Sequence, residues 1–487
     1  MTVPTHRAGA SNAFAWSVLN TVVSRVGTLG IGIVLARVLG PESFGTFAVA
    51  LVALMAILSF NELGVSLAIV RWPGDPARIV PTVNTISVLG SAFFCTLAVF
   101  LAPVFTAAVG DPGATDVIRI LIISVFINGI VASPAALLQR DFREKTRMGI
   151  DQINVWVGAI LSVGLALAGV GAMALAVGRV AGSLISAVMF LRASPMPYRF
   201  GLDREFLVPL LRFGLPLAGT SIIFFALSYG DQLTAGTILG TTALGFYVLA
   251  FNLSNWPVSI LAQPLRRVAP AAFSSLQHDR PAMGTALAAI VSILACVTLP
   301  IVLFLAGGAV PLVGFVYGDA WLPAATALSW LVLAATCKVF CDLAYDFVVV
   351  LGKSGTVFAI QAGSLIILVP ALIAGATWFG VPGLAAAQAI VTAVVVLPLY
   401  LWQLRRTGVD LNSIVRVIGL PLAAALPVGA LSWGFAHWIT VPFWALAAGG
   451  MTASAVTAGL LWLRRDTLKA LRTIGAATPA AEVELAR

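Results

Sequence analysis

The sequence predicts an all-α integral membrane protein of fourteen transmembrane helices: two pseudo-symmetric six-helix lobes followed by two further C-terminal helices. Three observations predict it. The 487 residues are 60% hydrophobic and only 10% charged, with a mean hydropathy of +1.03, whereas a soluble domain carries about 25% charged residues. Apolar runs of about 20 residues, enough to cross roughly 30 Å of hydrocarbon as helices, follow one another along the chain, parted by charges and Gly-Pro or Asp-Pro breaks. A segment near residue 40 also recurs without gaps 200 positions later.

The predicted spans run, in order, Asn12 to Val38, Phe44 to Val70, Ile79 to Ala108, Thr115 to Leu138, Met148 to Val170, Gly171 to Leu191 and Phe206 to Leu233. The second seven are Thr242 to Val268, Met283 to Ala306, Leu322 to Leu351, Thr356 to Thr377, Leu384 to Leu404, Ile414 to His437 and Val441 to Leu463. The polar stretch Met1 to Ser11 precedes an apolar run too long for the core of a signal peptide, so the first segment is expected to stay in the membrane. The domains expected are an N-terminal lobe at 1–200, a C-terminal lobe at 201–408, two added spans at 409–464 and a tail at 465–487.

Lys plus Arg number 28 against 19 Asp plus Glu, a net charge of +9. With the N-terminus cytoplasmic, every inner connection carries basic residues, including Arg140, Arg143, Lys145 and Arg147, while only Arg37 and Arg119 fall on outer ones. The positive excess is therefore a topology signal rather than a nucleic-acid surface. It implies a multi-pass membrane protein with both termini cytoplasmic. Trp378, Trp438 and Trp444 at outer ends, and Trp72, Trp402 and Trp462 at inner ends, suit interfacial anchors.

The recurrence pairs Leu39-Gly40 and Phe44-Gly45 with Leu239-Gly240 and Leu244-Gly245, each at an outer turn, and six spans separate the copies. Both copies then face the same way, as a parallel repeat about an axis along the membrane normal. A fainter echo pairs Gly171, Leu175 and Ala176 with Gly380, Leu384 and Ala385.

Arg25, Arg179, Lys338, Glu62, Asp231, Asp342 and Asp346 remain inside spans. Facing lipid, each costs about 2.5–3.5 kcal/mol, or roughly 20 kcal/mol together, so they should face one another or a wet cavity. Lys338, Asp342 and Asp346 share one helical stripe, where Lys338 and Asp342 either serve the cavity or neutralise each other. Arg25 faces substrate or bridges helices. Asp231 is either a coupling-ion or proton site or a lobe-packing hydrogen-bonding group, and Arg179 and Glu62 line the lumen or snorkel to interfacial water.

Cys95, Cys296, Cys337 and Cys341 lie inside apolar runs and read as small buried hydrophobes, with no metal site and no cofactor expected. Gly352-Lys353-Ser354 resembles the end of a phosphate-binding loop, but Phe347 stands where the leading glycine belongs. With no other enzymatic signature and no large extramembrane domain, transport is the expected activity rather than catalysis.

The segment Leu35-Ala36-Arg37 through Gly40-Pro41-Glu42 and Phe44-Gly45, with Glu62-Leu63-Gly64, resembles the opening of bacterial polysaccharide-transport flippases of the multidrug/oligosaccharidyl-lipid/polysaccharide exporter superfamily. Asp231-Gln232 ahead of Leu239-Gly240 and Leu244-Gly245-Phe246-Tyr247 is similar to that family's second-lobe signature. The resemblance implies translocation of an isoprenoid-diphosphate-linked oligosaccharide to the outer leaflet by rocking of the two lobes. The reading of the residues agrees with such a flippase in the bacterial plasma (inner) membrane, with Arg25 and Arg179 as substrate-phosphate ligands and Asp231, Lys338, Asp342 and Glu62 as coupling or lumen residues. The partners implied are lipid-linked oligosaccharide, membrane lipids, a polysaccharide polymerase and glycosyltransferases, and no nucleic acid. The set of seven carries three basic and four acidic groups, so the lumen is not plainly cationic. The alternatives are a cation-coupled drug or metabolite antiporter of the same superfamily, and a membrane-embedded glycosyltransferase or ligase.

Overall fold

The computed structural model describes residues 7–61, 65–72, 74–276 and 279–467, except for the side chains of 7–26, 28, 60–61, 211, 213–220, 222–223, 258–268 and 271–272. The described residues are helical, with no strand. The helices are α1 (Arg7–Asn61), α2 (Val65–Arg71), α3 (Val80–Val109), α4 (Ala114–Arg140), α5 (Glu144–Leu167), α6 (Met173–Ala193), α7 (Arg204–Thr234) and α8 (Thr241–Ser275). They continue as α9 (Arg280–Gly307), α10 (Ala309–Tyr317), α11 (Pro323–Val350), α12 (Ser354–Val391), α13 (Leu397–Arg406), α14 (Leu411–Trp438) and α15 (Pro442–Leu463). Helix is the form that satisfies every backbone N–H and C=O within one apolar segment, as the bilayer requires.

Among the described residues ten helical stretches are long and apolar enough to cross a membrane. Two of these contain a non-helical glycine: Gly40 (φ 70°) in α1 and Gly380 (φ 64°) in α12. Each breaks its helix in the left-handed region, where a Cβ is unfavourable. The nine-residue α10 falls where a connection was expected, because Pro311 and Pro323 allow a short helix but interrupt a longer one.

The chain divides into two compact units, one of Met1–Tyr229 with Gly240–Thr242 and the other of Gly230–Leu239 with Ala243–Arg487. In the first, Ala50 and Leu54 of α1, Ala98 and Ala102 of α3, and Ile118, Leu121 and Ile122 of α4 form a buried core with Ala176 of α6. A second core joins α2, α3 and α4 to Phe206 and Leu210 at the start of α7. Helices α5 and α6 touch backbone to backbone: a Cβ on Gly158 would meet the Gly178 carbonyl at 3.1 Å, and one on Gly182 would meet Asn154 Oδ1 at 2.7 Å. Small residues permit that approach where no hydrophobic force holds helices together.

The segment 194–203 is strapped to the start of α3. Asn84 Nδ2 donates to the Arg199 carbonyl (2.8 Å), Thr85 Oγ1 to the Gly201 carbonyl (2.7 Å), and the Asp203 amide to Thr82 Oγ1 (3.1 Å). In this strap burial pushes the Tyr198 phenol up to about 12. Arg140 closes the end of α2, its guanidinium donating to the carbonyls of Ile69 (2.6 Å), Trp72 (2.8 Å) and Gly74 (3.0 Å).

In the second unit, Phe273, Met283, Leu287, Phe347, Val357, Tyr400 and Leu404 bring α8, α9, α11, α12 and α13 into one core. Gly449 of α15 lies against Phe304 of α9 and Ser432 of α14.

Positive-φ residues recur at like places in the two halves: Gly40 and Gly240 (φ 70° and 85°), Gly110 and Gly318 (80° and 96°, with different ψ of 15° and 171°), Phe142 and Gly352 (54° and 73°), and Gly171 and Gly380 (68° and 64°). Arg143 (φ −86°, ψ 42°) and Lys353 (φ −92°, ψ 43°) follow the third pair, and their amides donate to Leu138 O (2.9 Å) and Val348 O (3.3 Å). The Gly352-Lys353-Ser354 sequence is thus the second copy of a helix-to-helix turn whose first copy is Phe142-Arg143-Glu144.

Candidate functional site

Among the described residues the one buried side chain of the Asp, Glu, Lys and Arg types sits where α7 ends. Asp231 is 5% exposed, in the last turn of α7, and a single π-helical turn, Ala235–Leu239, follows it. Such turns widen a helix locally and occur often at functional sites. This one packs against α12.

Asp231 Oδ2 accepts a hydrogen bond from Tyr247 Oη on α8 at 2.8 Å, and Oδ1 accepts from the Gln232 amide at 2.8 Å. Tyr247 is fully buried and stacks on Phe251 (ring centroids 6.3 Å apart, 24° between planes), while Gln232 is 5% exposed. The Lys338 ammonium on α11 is within electrostatic reach of the carboxylate. Lys338 itself is exposed, and Asp342, one turn further, is half-buried, as is Asp346. A buried carboxylate is tolerated when hydrogen bonds and an opposite charge replace its water. Asp231 has both, all within the second unit.

The arrangement is a carboxylate that can hold or release a proton or attract a small cation, clamped by a phenol. Tyr247 entered the sequence reading only as part of the second-lobe motif, not as a candidate site residue. A signal for it exists: in the 200-residue alignment Tyr247 stands opposite Phe47 and Asp231 opposite Ile31. The first copy is apolar where the second places the hydrogen-bonded pair.

Arg179 lies on α6, is exposed, and is within electrostatic reach of Tyr229, both in the first unit. The side chain of Arg25 and the whole of Glu62 lie outside the described residues. The structure thus brings Asp231 and Lys338 near each other and adds Tyr247. Cys296 and Cys341 are buried, Cys95 and Cys337 half-buried, and all four thiols are free.

A family profile described as "Polysaccharide biosynthesis protein" matches residues 34–326. The chain is 25% identical to the succinoglycan biosynthesis transport protein ExoT of Rhizobium meliloti (strain 1021) over 350 residues, which are 70% of this chain and 69% of ExoT. It is 22% identical to the lipopolysaccharide biosynthesis protein WzxC of Escherichia coli (strain K12) over 426 residues, 86% of each chain. In fold it is similar to the lipid II flippase MurJ in an inward closed conformation, with TM-score 0.77 and 12% identity over 93% of this chain and 99% of that one. It is also similar to an inward-facing multidrug resistance MATE transporter of the MOP superfamily, with TM-score 0.60 and 16% identity over 79% and 94% of the two chains. The chain belongs to the polysaccharide biosynthesis protein family, as a multi-pass membrane protein with a flippase-type fold.

Proposed function

We propose that this protein is a flippase that carries a lipid-linked, isoprenoid-diphosphate oligosaccharide or polysaccharide precursor across the bacterial plasma membrane by alternating access. The observation that carries the reading is the family match joined to a lipid II flippase fold over 93% of the chain. The relatives named for succinoglycan and lipopolysaccharide biosynthesis support a glycan substrate over a drug or metabolite. The physical task is to give sugars and a diphosphate a polar path while the prenyl tail stays in hydrocarbon. Arg25 and Arg179 supply cations for the phosphates, as guanidinium groups bind phosphate oxygens in bidentate fashion.

Asp231, clamped by Tyr247 and facing Lys338, is the coupling element, with Asp342 and Glu62 as further lumen groups. Division of α1 and α12 at Gly40 and Gly380, with α7 and α8 added to the ten apolar stretches, supports fourteen spans and hence termini on one side, which the basic inner connections make the cytoplasmic one. The lobes are 1–200 and 201–408, with 409–464 as the added pair and 465–487 as the tail. The protein catalyses no covalent step and hands its cargo from glycosyltransferases to a polysaccharide polymerase.

Proteoliposomes loaded with fluorescent lipid-linked oligosaccharide provide the test. Protein-dependent exposure of the glycan to an external glycosidase is expected. Rates equal to those of empty liposomes overturn the reading.

A further inference from the structure

Both units carry basic residues at helix ends, and several of those in the first are held by protein groups. In the first, four arginines are occupied by protein acceptors: Arg140 by three carbonyls, Arg143 by the Ala193 carbonyl (3.4 Å), Arg147 by Gln139 (2.8 Å) and Glu144 (3.7 Å), and Arg78 by Glu205 (3.8 Å). In the second unit Arg405 and Arg406 end α13, Arg416 lies in the second turn of α14, and Arg464 and Arg465 follow α15. Among the described residues none of these five meets a carboxylate within ion-pair distance. Asp410 in the same region is engaged by the Asn412 amide at the start of α14 (3.0 Å).

The five share one end of the unit. Arg416 precedes Trp438, and Arg464 follows Pro442, by equal numbers of residues, so at 1.5 Å per residue both stand about 33 Å from the turn that joins the antiparallel α14 and α15. Two of them are set on exposed indoles. The Arg406 guanidinium lies 3.6 Å from the Trp402 ring centroid, and that of Arg465 lies 5.3 Å from Trp462. Trp402 is 48% and Trp462 65% exposed. Stacking uses the face of a guanidinium and leaves its in-plane N–H donors available, in the fork that suits phosphate oxygens. Tryptophan favours the headgroup level of a bilayer, which sets the cations at phosphate depth.

We propose that this end of α13, α14 and α15 is a binding surface for anionic phospholipid headgroups of the surrounding leaflet. Charge complementarity selects the lipid: a net-positive arginine cluster with no carboxylate at ion-pair distance among the described residues, seated on interfacial tryptophans, favours phosphatidylglycerol over a zwitterionic headgroup. Binding of this kind concerns the protein's own solvent and is independent of the transport reading.

Native mass spectrometry of the purified full chain, titrated separately with phosphatidylglycerol, phosphatidylethanolamine and farnesyl diphosphate, tests it. Wild-type protein should retain phosphatidylglycerol in preference to phosphatidylethanolamine. The combined Arg405→Gln, Arg406→Gln and Arg465→Gln variant should lose about a hundredfold of that affinity and leave farnesyl diphosphate binding unchanged. The single Arg406→Gln variant, with a smaller loss, guards against misfolding of the triple. The first unit's Lys145→Gln, Arg192→Gln pair should change nothing. Equal retention of the two phospholipids, or a loss confined to farnesyl diphosphate, overturns the proposal.

Discussion

A carboxylate only 5% exposed inside an apolar helix cannot be held by burial alone. Asp231 survives there because a phenol and a backbone amide take the place of water, each at 2.8 Å. Hydrogen bonds to a charged group contribute about 1.5–3 kcal/mol. Tyr247→Phe should therefore destabilise the protein by about that much, while Tyr247→Phe in an Asp231→Asn background should cost clearly less. A double-mutant cycle read by thermal unfolding in detergent checks this, and strictly additive losses would show that the pair is not coupled. In the flipping assay, Arg25→Ala should reduce transport much more than Arg25→Lys at equal expression, since a phosphate ligand must be cationic. Equal rates for the two variants remove Arg25 from the substrate path. The sequence made the ionisable side chains visible but not their partners: Tyr247 lies sixteen positions from Asp231 on another helix, and only the packing of α7 against α8 joins them.

Helices in this molecule are shaped by glycine in two ways, and the two are separable by mutation. Gly40 needs its positive φ (φ 70°, ψ 174°) but has open space where a Cβ would point, so Gly40→Ala carries a backbone cost alone, of about 1–3 kcal/mol. Gly178 is ordinary helix, but a Cβ there would strike the backbone of α5 at Ser162 N (2.9 Å), where little can yield. Gly178→Ala should lower the melting temperature more than Gly40→Ala does. The reverse order would mean that turn conformation outweighs the α5–α6 contact. The breaks at Gly40 and Gly380 were legible from Gly-Pro and Gly-x-Pro spacing, and the limits of α3, α5 and α6 fall within a few residues of the expected spans. The short α10 was not legible, since nine apolar residues between two breaks can as easily be a connection. Nor was the identity of the Phe142 and Gly352 turns, because one copy uses a residue that rarely adopts positive φ.

At the scale of the whole molecule, the basic connections and the repeat argue for a parallel duplication with one sidedness. Cysteine labelling in a variant lacking the four native thiols tests that sidedness in cells. A cysteine at Lys353 should react with an impermeant reagent only after permeabilisation, and one at Gly113 from outside; the opposite pattern reverses the orientation. Removal of the native thiols should be tolerated better at Cys95 and Cys337 than at buried Cys296 and Cys341.

What the residue string determined by itself was the membrane class, the all-helical character and the approximate limits of several spans, because hydrophobic run length and loop charge are local quantities that water and lipid read directly. Tertiary structure alone decided which buried charges have partners. Asp231 gains Tyr247 and the field of Lys338, Arg140 is held by three carbonyls in the first unit, and the guanidiniums of Arg406 and Arg465 in the second lie over tryptophan rings. Those outcomes depend on contacts between helices far apart in sequence, and in an apolar chain such contacts leave almost no trace in composition or periodicity.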